Sequence, residues 1–131
     1  MCLIYNTIKE IPKEKPIIGY KFFNYTRGFY SPCIGSGPYY FNKNYKASIN
    51  GEEKTNEEIL IENKKGYKLT SGAFHFYTSQ DDALAHEWLW SGIAVKCLFW
   101  GRCYLWKENG KAIMEAAATN MKLVKRINST I

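Results

Sequence analysis

The run IAVKCLFW, residues 93–100, limits the architecture of this chain more than any other stretch. Alternate residues of a strand point to opposite faces, and Ile93, Val95, Cys97 and Phe99 make one wholly apolar face. Ala94, Leu98 and Trp100 make the other nearly apolar, with Lys96 the exception. A strand apolar on both sides belongs in the middle of a sheet or beneath a partner surface. It sits within a longer unit, residues 72–106, GAFHFYTSQDDALAHEWLWSGIAVKCLFWGRCYLW, which holds all four tryptophans. The unit reads as a short strand (72–78), a helix (80–90), the apolar strand, a turn or bulge at Gly101, and a further strand over 102–106.

Local chemistry bounds the helix. Ser79 can cap it, with Asp82 three residues on in the capping-box position, and Asp81 and Asp82 suit the positive end of the helix dipole. Leu84 and Trp88 share a face at i, i+4, and Ser91-Gly92 ends the helix. The acids are therefore explained by capping and not by catalysis.

Taken in order, residues 1–15 form an N-terminal arm whose charged end lies between Pro12 and Pro16. Residues 17–25, IIGYKFFNY, alternate as a strand. Gly35-Ser36-Gly37-Pro38 is a loop and not a phosphate cradle, because proline follows at once and no helix or GK[ST] is present. Residues 38–49 form a strand or hairpin rich in aromatic side chains. Residues 50–65 are a polar surface insertion with two readings. Thr55 and Glu58 can open a short helix, or 58–62 can be a strand turning at Lys64-Lys65-Gly66. Glu108-Asn109-Gly110-Lys111 is a hairpin turn of the Asn-Gly type. Residues 112–120, AIMEAAATN, have helical propensity through their alanines. Placed between that turn and a stretch with Met121, Leu123 and Ile127 on one face, they read as strand with a bend near Thr119-Asn120. Residues 128–131 form a frayed tail. The expected fold is α+β: one domain over 1–131, a twisted, mostly antiparallel sheet wrapped against one main helix at 80–90.

Charge narrows the partners. Eighteen Lys plus Arg against 12 Asp plus Glu give +6, which favours polyanions. Arginine is scarce at three (Arg27, Arg102, Arg126), whereas a surface that reads base edges uses more of it. The four cysteines show no CxxC pair and no histidine at metal spacing, so they read as reduced packing residues with no metal or cofactor. Asn6, Lys9 and Glu10 interrupt the apolar start before a signal peptide could form, and no run approaches a membrane span. A cytoplasmic protein is expected. His75 alternates with Phe74 and Phe76 and so faces away from the core, and His86 beside Glu87 is a surface residue. No serine or cysteine is placed near either, so no nucleophilic triad can be argued.

Two resemblances add to these readings. The succession GYK (19–21), SP (31–32), YKA (45–47), FHFYTSQDDA (74–83), AVKC (94–97) and MKL (121–123) resembles a group of small uncharacterised phage and mobile-element proteins. That group shares a G-F-H-x-[FY]-x-S-x-[DE]-D-A core; here Ala73 is inserted between Gly72 and Phe74. The resemblance implies no particular activity but a phage or prophage setting, in which small proteins block bacterial immune systems. About half the chain also resembles ADP-ribosyltransferase domains. That likeness implies an NAD-using enzyme with Lys21 in the early position, Tyr77 (or Thr78 or Ser79) in the middle and Glu115 in the late one, where it would stabilise an oxocarbenium-like transition state. Lys21 differs from that family's His or Arg, and no Glu-x-Glu or Gln-x-Glu precedes Glu115.

The leading expectation is a non-enzymatic binding protein that antagonises a host defence system by occluding a protein or sequestering a nucleotide signal. Its candidate ligand-binding residues are His75, Lys96, Arg102, Tyr104 and Trp106, helped by Tyr30, Tyr39 and Tyr40, which together could stack a base and hold phosphate. The alternatives are the NAD-using enzyme and a nucleic-acid-binding accessory protein. Self-association is compatible with each.

Overall fold

The computed structural model describes residues 4–5, 7–25, 28–30, 37–47, 52–55, 66–69, 73–90, 92–108 and 110–127. In chain order the elements are β1 (Ile4–Tyr5), β2 (Thr7–Ile11), β3 (Ile17–Tyr25), β4 (Phe29–Tyr30), β5 (Asn44–Lys46), β6 (Glu52–Thr55), β7 (Gly66–Leu69), β8 (Phe74–Tyr77), α1 (Gln80–Trp90), β9 (Ile93–Glu108) and β10 (Lys111–Arg126). A small sheet runs β1-β7-β6, and the main one runs β2-β9-β10-β8-β3-β4, with β5 also on β10.

The main sheet closes on itself. β9 pairs with β10, β10 with β8, β8 with β3 through Tyr20 and Tyr77, and β3 returns to β9 over Ile17–Phe99 to Phe23–Ile93. The apolar run at 93–100 thus has a neighbour on both edges, as its two-faced pattern requires. The core lies inside the ring, where Phe23, Phe74, Phe76, Val95, Phe99 and Met121 are buried together. Small residues of β10 make room for the rings of β8: Ala116 lies opposite Phe76, and Ala118 opposite Phe74. Packing between large neighbours overrides the helical propensity of the alanines there.

This corrects the α+β expectation. The protein is mainly β, and the sheet is not wrapped against a helix. A closed sheet supplies its own second layer, so the inward faces of β3, β8, β9 and β10 find their partners across the ring and not on α1. The helix occupies the expected residues, 80–90. It lies outside the ring, however, where Ala83 and Leu84 join a satellite cluster with Ala94, Ile127, Tyr20 and Tyr77. No described helix is long and apolar enough to cross a membrane.

Two glycines shape the ring. Phe76 and Phe99 stack with centroids 3.7 Å apart and planes at 9°, and a Cβ on Gly19 would overlap both rings. Gly101 has φ +85 and marks a bulge, because Ala118 pairs with Cys103 while Asn120 pairs with Trp100. Side chains satisfy the groups that the bulge unpairs. Thr119 Oγ1 accepts from the Arg102 N–H at 3.0 Å, and Asn120 Nδ2 donates to Thr119 Oγ1 at 2.9 Å and, more loosely, to the Trp100 carbonyl at 3.4 Å. Residues 93–100 and 102–106, expected as two strands, are therefore one strand bent at Gly101, and the bend expected at Thr119-Asn120 is its partner.

Other segments differ from expectation in detail. The N-terminal arm holds β1 and β2, and Tyr5 is buried. In the polar insertion, Glu52 pairs with Leu69 and Thr55 with Gly66, a hairpin whose strands lie outside 58–62. Residues 48–49, 56–65 and 128–131 lie outside the described residues, and among the described residues of the aromatic segment, 38–47, Asn44–Lys46 forms a strand.

Replacing Gly19 by valine forces the Phe76–Phe99 pair apart, and overpacking of this kind lowers stability by roughly 1–3 kcal/mol. Urea denaturation of Gly19→Val should show the loss, with Gly19→Ala intermediate. An unchanged midpoint would contradict the packing described.

Candidate functional site

Of the predicted residues, Tyr39 is buried in the main core and Tyr40 is exposed next to it, while His75, Arg102, Tyr104 and Trp106 are separated from Lys96 by the Gly101 bend. Beyond the Gly101 bend, the outward side of β9 carries Arg102, Tyr104 and Trp106. Tyr104 is fully buried beneath Tyr5 of β1, with ring centroids 6.3 Å apart, and Ala73, Ala117 and Ile8 complete this second cluster. Arg102 faces Glu10 across the β2–β9 pair, with Nε 3.4 Å from the carboxylate. Both side chains are well exposed, and such a pair contributes little to stability. Trp106 is half-buried.

His75 belongs to this region. Strand alternation buries Phe74 and Phe76 inside the ring and turns His75 outward, half-buried. There the Tyr5 hydroxyl lies 3.0 Å from His75 Nδ1. Burial pulls His75 down to about 4, and the positive charge of Lys21 adds to the effect. Burial also pushes the Tyr5 phenol up, reinforced by the charge of Glu115. At neutral pH both groups are uncharged, and one hydrogen bond joins the phenol to Nδ1, its direction set by the imidazole tautomer.

Lys21 points the other way, into the ring. It is only 6% exposed, and Nζ donates to the His75 carbonyl at 2.7 Å and lies 5.6 Å from the centre of the Phe23 ring. Tyr20–Tyr77 is the single registered pair between β3 and β8, and Lys21 adds a side-chain link beside it. Of the residues implied by the ADP-ribosyltransferase likeness, Tyr77 and Glu115 are cross-strand partners, whereas Lys21 lies on the inner face. Burial holds the thiols of Cys97 and Cys103 at about 12, so neither is an available nucleophile at neutral pH. No group of three or more potential metal-ligating side chains gathers among the described residues. This region is chemically suited to holding a seam between strands.

Lys96 lies on the other side of the bend, on the outer surface of β3, β9, β10 and β5. Directly paired residues of an antiparallel sheet share a face, so register alone assembles three outward rows. The first is Trp100–Asn120–Lys46. The second is Ile18–Leu98–Lys122–Asn44. The third is Tyr20–Lys96–Lys125. These rows hold four lysines, and the third reaches an acid, Glu115, only beyond Tyr20 and its partner Tyr77. Lys96 and Lys125 stand directly opposite each other, a like-charge arrangement that opposes folding by a few tenths of a kcal/mol to about 1. Lys13 extends the positive surface, with Nζ 5.8 Å from the centre of the Trp100 ring. Sequence reasoning found Lys96 but not Lys46, Lys122 or Lys125. Their only sequence signal is the alternation of Lys122 with the buried Met121 and Leu123, which cannot say what lies alongside.

No family model matches the chain, and no curated protein or solved structure matches it significantly.

The depressed His75 pKa makes stability depend on pH. The unfolded chain binds a proton near 6.5 and the folded one only near 4, so this contribution is complete above about 6.5 and is lost as pH falls toward 4. The expected loss is at most about 3 kcal/mol. Urea midpoints measured across that window should fall with pH for the natural chain and much less for His75→Gln. Parallel slopes would show that His75 is not held neutral by the fold.

Proposed function

We propose that the chain is a non-enzymatic binding protein that works in the host cytoplasm by occupying an anionic partner, and that it thereby blocks a bacterial defence system. The observation that carries this reading is the registered lysine face. Four lysines converge on the β3, β9, β10 and β5 part of three adjacent rows, and two of them oppose each other directly. The one acid in register, Glu115, lies two strands beyond Lys96, past Tyr20 and Tyr77. A solvated surface normally intersperses both signs. An arrangement that works against folding is accounted for by an anion that neutralises it. The sequence resemblance to small phage proteins supplies the setting.

The candidate ligand residues are accordingly redistributed. Lys96 belongs to the binding face, with Lys46, Lys122 and Lys125 beside it. His75 and Tyr104 serve the sheet and its second core, and Arg102 is engaged with Glu10.

The test is plating efficiency. A panel of bacterial strains, each carrying one immune system, is challenged with a sensitive phage with and without the chain expressed. The natural chain should restore plating in at least one strain, and Lys96→Glu/Lys125→Glu should fail there while remaining folded. Restoration in none would end the anti-defence reading, and equal restoration by the variant would remove the lysine face from it.

A further inference from the structure

We infer that the anionic partner is single-stranded nucleic acid, held by its phosphates on the lysine rows and by its bases on an aromatic edge beside them. This rests on the reading of the lysine face given above and names the chemistry that face recognises.

The second, independent observation is where apolar surface is exposed. Among the described residues the exposed large apolar side chains are Ile18, Tyr25, Tyr40 and Phe41, at 51%, 57%, 50% and 37%. Ile18 lies within the second lysine row. Phe41 forms a bridge to Leu123, and the Asn42 N–H donates to the Leu123 carbonyl at 3.0 Å, which fixes this loop against β10 between Lys122 and Lys125. Tyr40 adjoins it, with Lys43 Nζ 5.1 Å from its ring centre. Tyr25 is joined to Phe41 through Phe29, with ring centroids 5.1 and 5.2 Å apart. Phe41 and Tyr25 continue the inward face at the end of the ring through Phe29. Tyr40 with Lys43 stands at the β10 edge next to Lys122 and Lys125, so exposed rings and positive charge meet at that edge from the two faces.

That combination separates the candidate anions. A duplex hides its base faces, so it offers phosphate to the lysines and nothing to Tyr40 or Phe41. An acidic polypeptide likewise satisfies the charge alone. A single strand presents both groups, and because every base has a π-face its recognition tolerates any sequence. Lysine suits this role, since it meets phosphate as a point charge without the bidentate geometry by which arginine reads guanine. The Tyr40 N–H donates to the Tyr45 hydroxyl at 2.7 Å, and Tyr39 and Tyr45 pack edge to face at 4.9 Å, so the stacking edge is held before a ligand arrives.

The experiment is fluorescence anisotropy with labelled oligo-dT and oligo-U, the matching duplexes, and polyglutamate as competitor. Both single strands should bind more tightly than their duplexes and resist polyglutamate. If three or four of the lysines meet phosphate, log K against log salt should have a slope of about −2 to −3. Tyr40→Ala/Phe41→Ala should weaken binding about tenfold or more at constant slope, as the loss of stacking predicts. Lys96→Glu/Lys125→Glu should flatten the slope, and Lys125→Glu alone should also raise the melting temperature, because it turns a like-charge pair into an opposite-charge one; loss of a lysine with only a structural role would lower it. Binding of duplex as tightly as single strand, ready displacement by polyglutamate, or insensitivity to the aromatic changes would overturn the inference. If no strand binds yet the lysine variant still loses phage rescue, the inference falls and the anionic-partner reading stands. If neither strand binding nor rescue depends on the lysines, both fall.

Discussion

The fit of two phenylalanine rings over a residue with no side chain is the constraint on which the molecule depends. Phe76 comes from β8, Phe99 from β9, and Gly19 from β3, so one contact ties three strands of the ring. The ring is narrow, and its interior leaves no place for a further side chain at that level. Burying a phenylalanine is worth about 1.5–3 kcal/mol, and a stack across the interior gains that only if the strands curve round to meet. Closure is thus driven from within. Beside its single registered pair, the β3–β8 seam is supplemented by a lysine reaching a carbonyl.

Closure also divides the outer surface. The helix covers the start of β9 at Ala94, and β1 brings Tyr5 over Tyr104 and His75 beyond the Gly101 bend. Among the described residues the lysines stand on the middle of β9 and its neighbours, between these two covered regions. The chain therefore places its buried positive charge, Lys21, where a backbone carbonyl answers it, and its surface charges where nothing within the described rows does. One serves the fold, while the others oppose it slightly.

Local features of this fold were legible from residues. The helix could be bounded because Ser79, the paired acids and Ser91-Gly92 act within one turn of the backbone. The central strand and the turn before Lys111 were legible for the same reason. What escaped was long-range. Alternation identifies an inward face but does not say whether a helix or the same sheet covers it, and the α+β expectation failed on that point. Gly101 was legible as a turn or bulge, but a glycine that bends a strand and one that ends it read alike, so residues on its two sides were expected as separate strands. The burial of Tyr104 depends on Tyr5, and Tyr5 lies 70 residues from the His75 it bonds. The lysine rows required registers among four strands, which alternation cannot supply.

The edge of β9 opposite β10 has one further property. Ile11 pairs with Gly101 and Ile17 with Phe99, so β2 and β3 follow the same edge in the same direction, and residues 12–16 leave it where only Trp100 intervenes. In effect β2 and β3 are one strand with a short loop let into it, closed by the Lys15 N–H donating to the Pro12 carbonyl at 3.1 Å. Both flanking registers are set independently, and lengthening a loop raises its closure entropy only slowly. Residues 12–16 are therefore the natural place in this barrel to graft a tag or a foreign peptide, or to open the chain for circular permutation, without shifting the register of any strand.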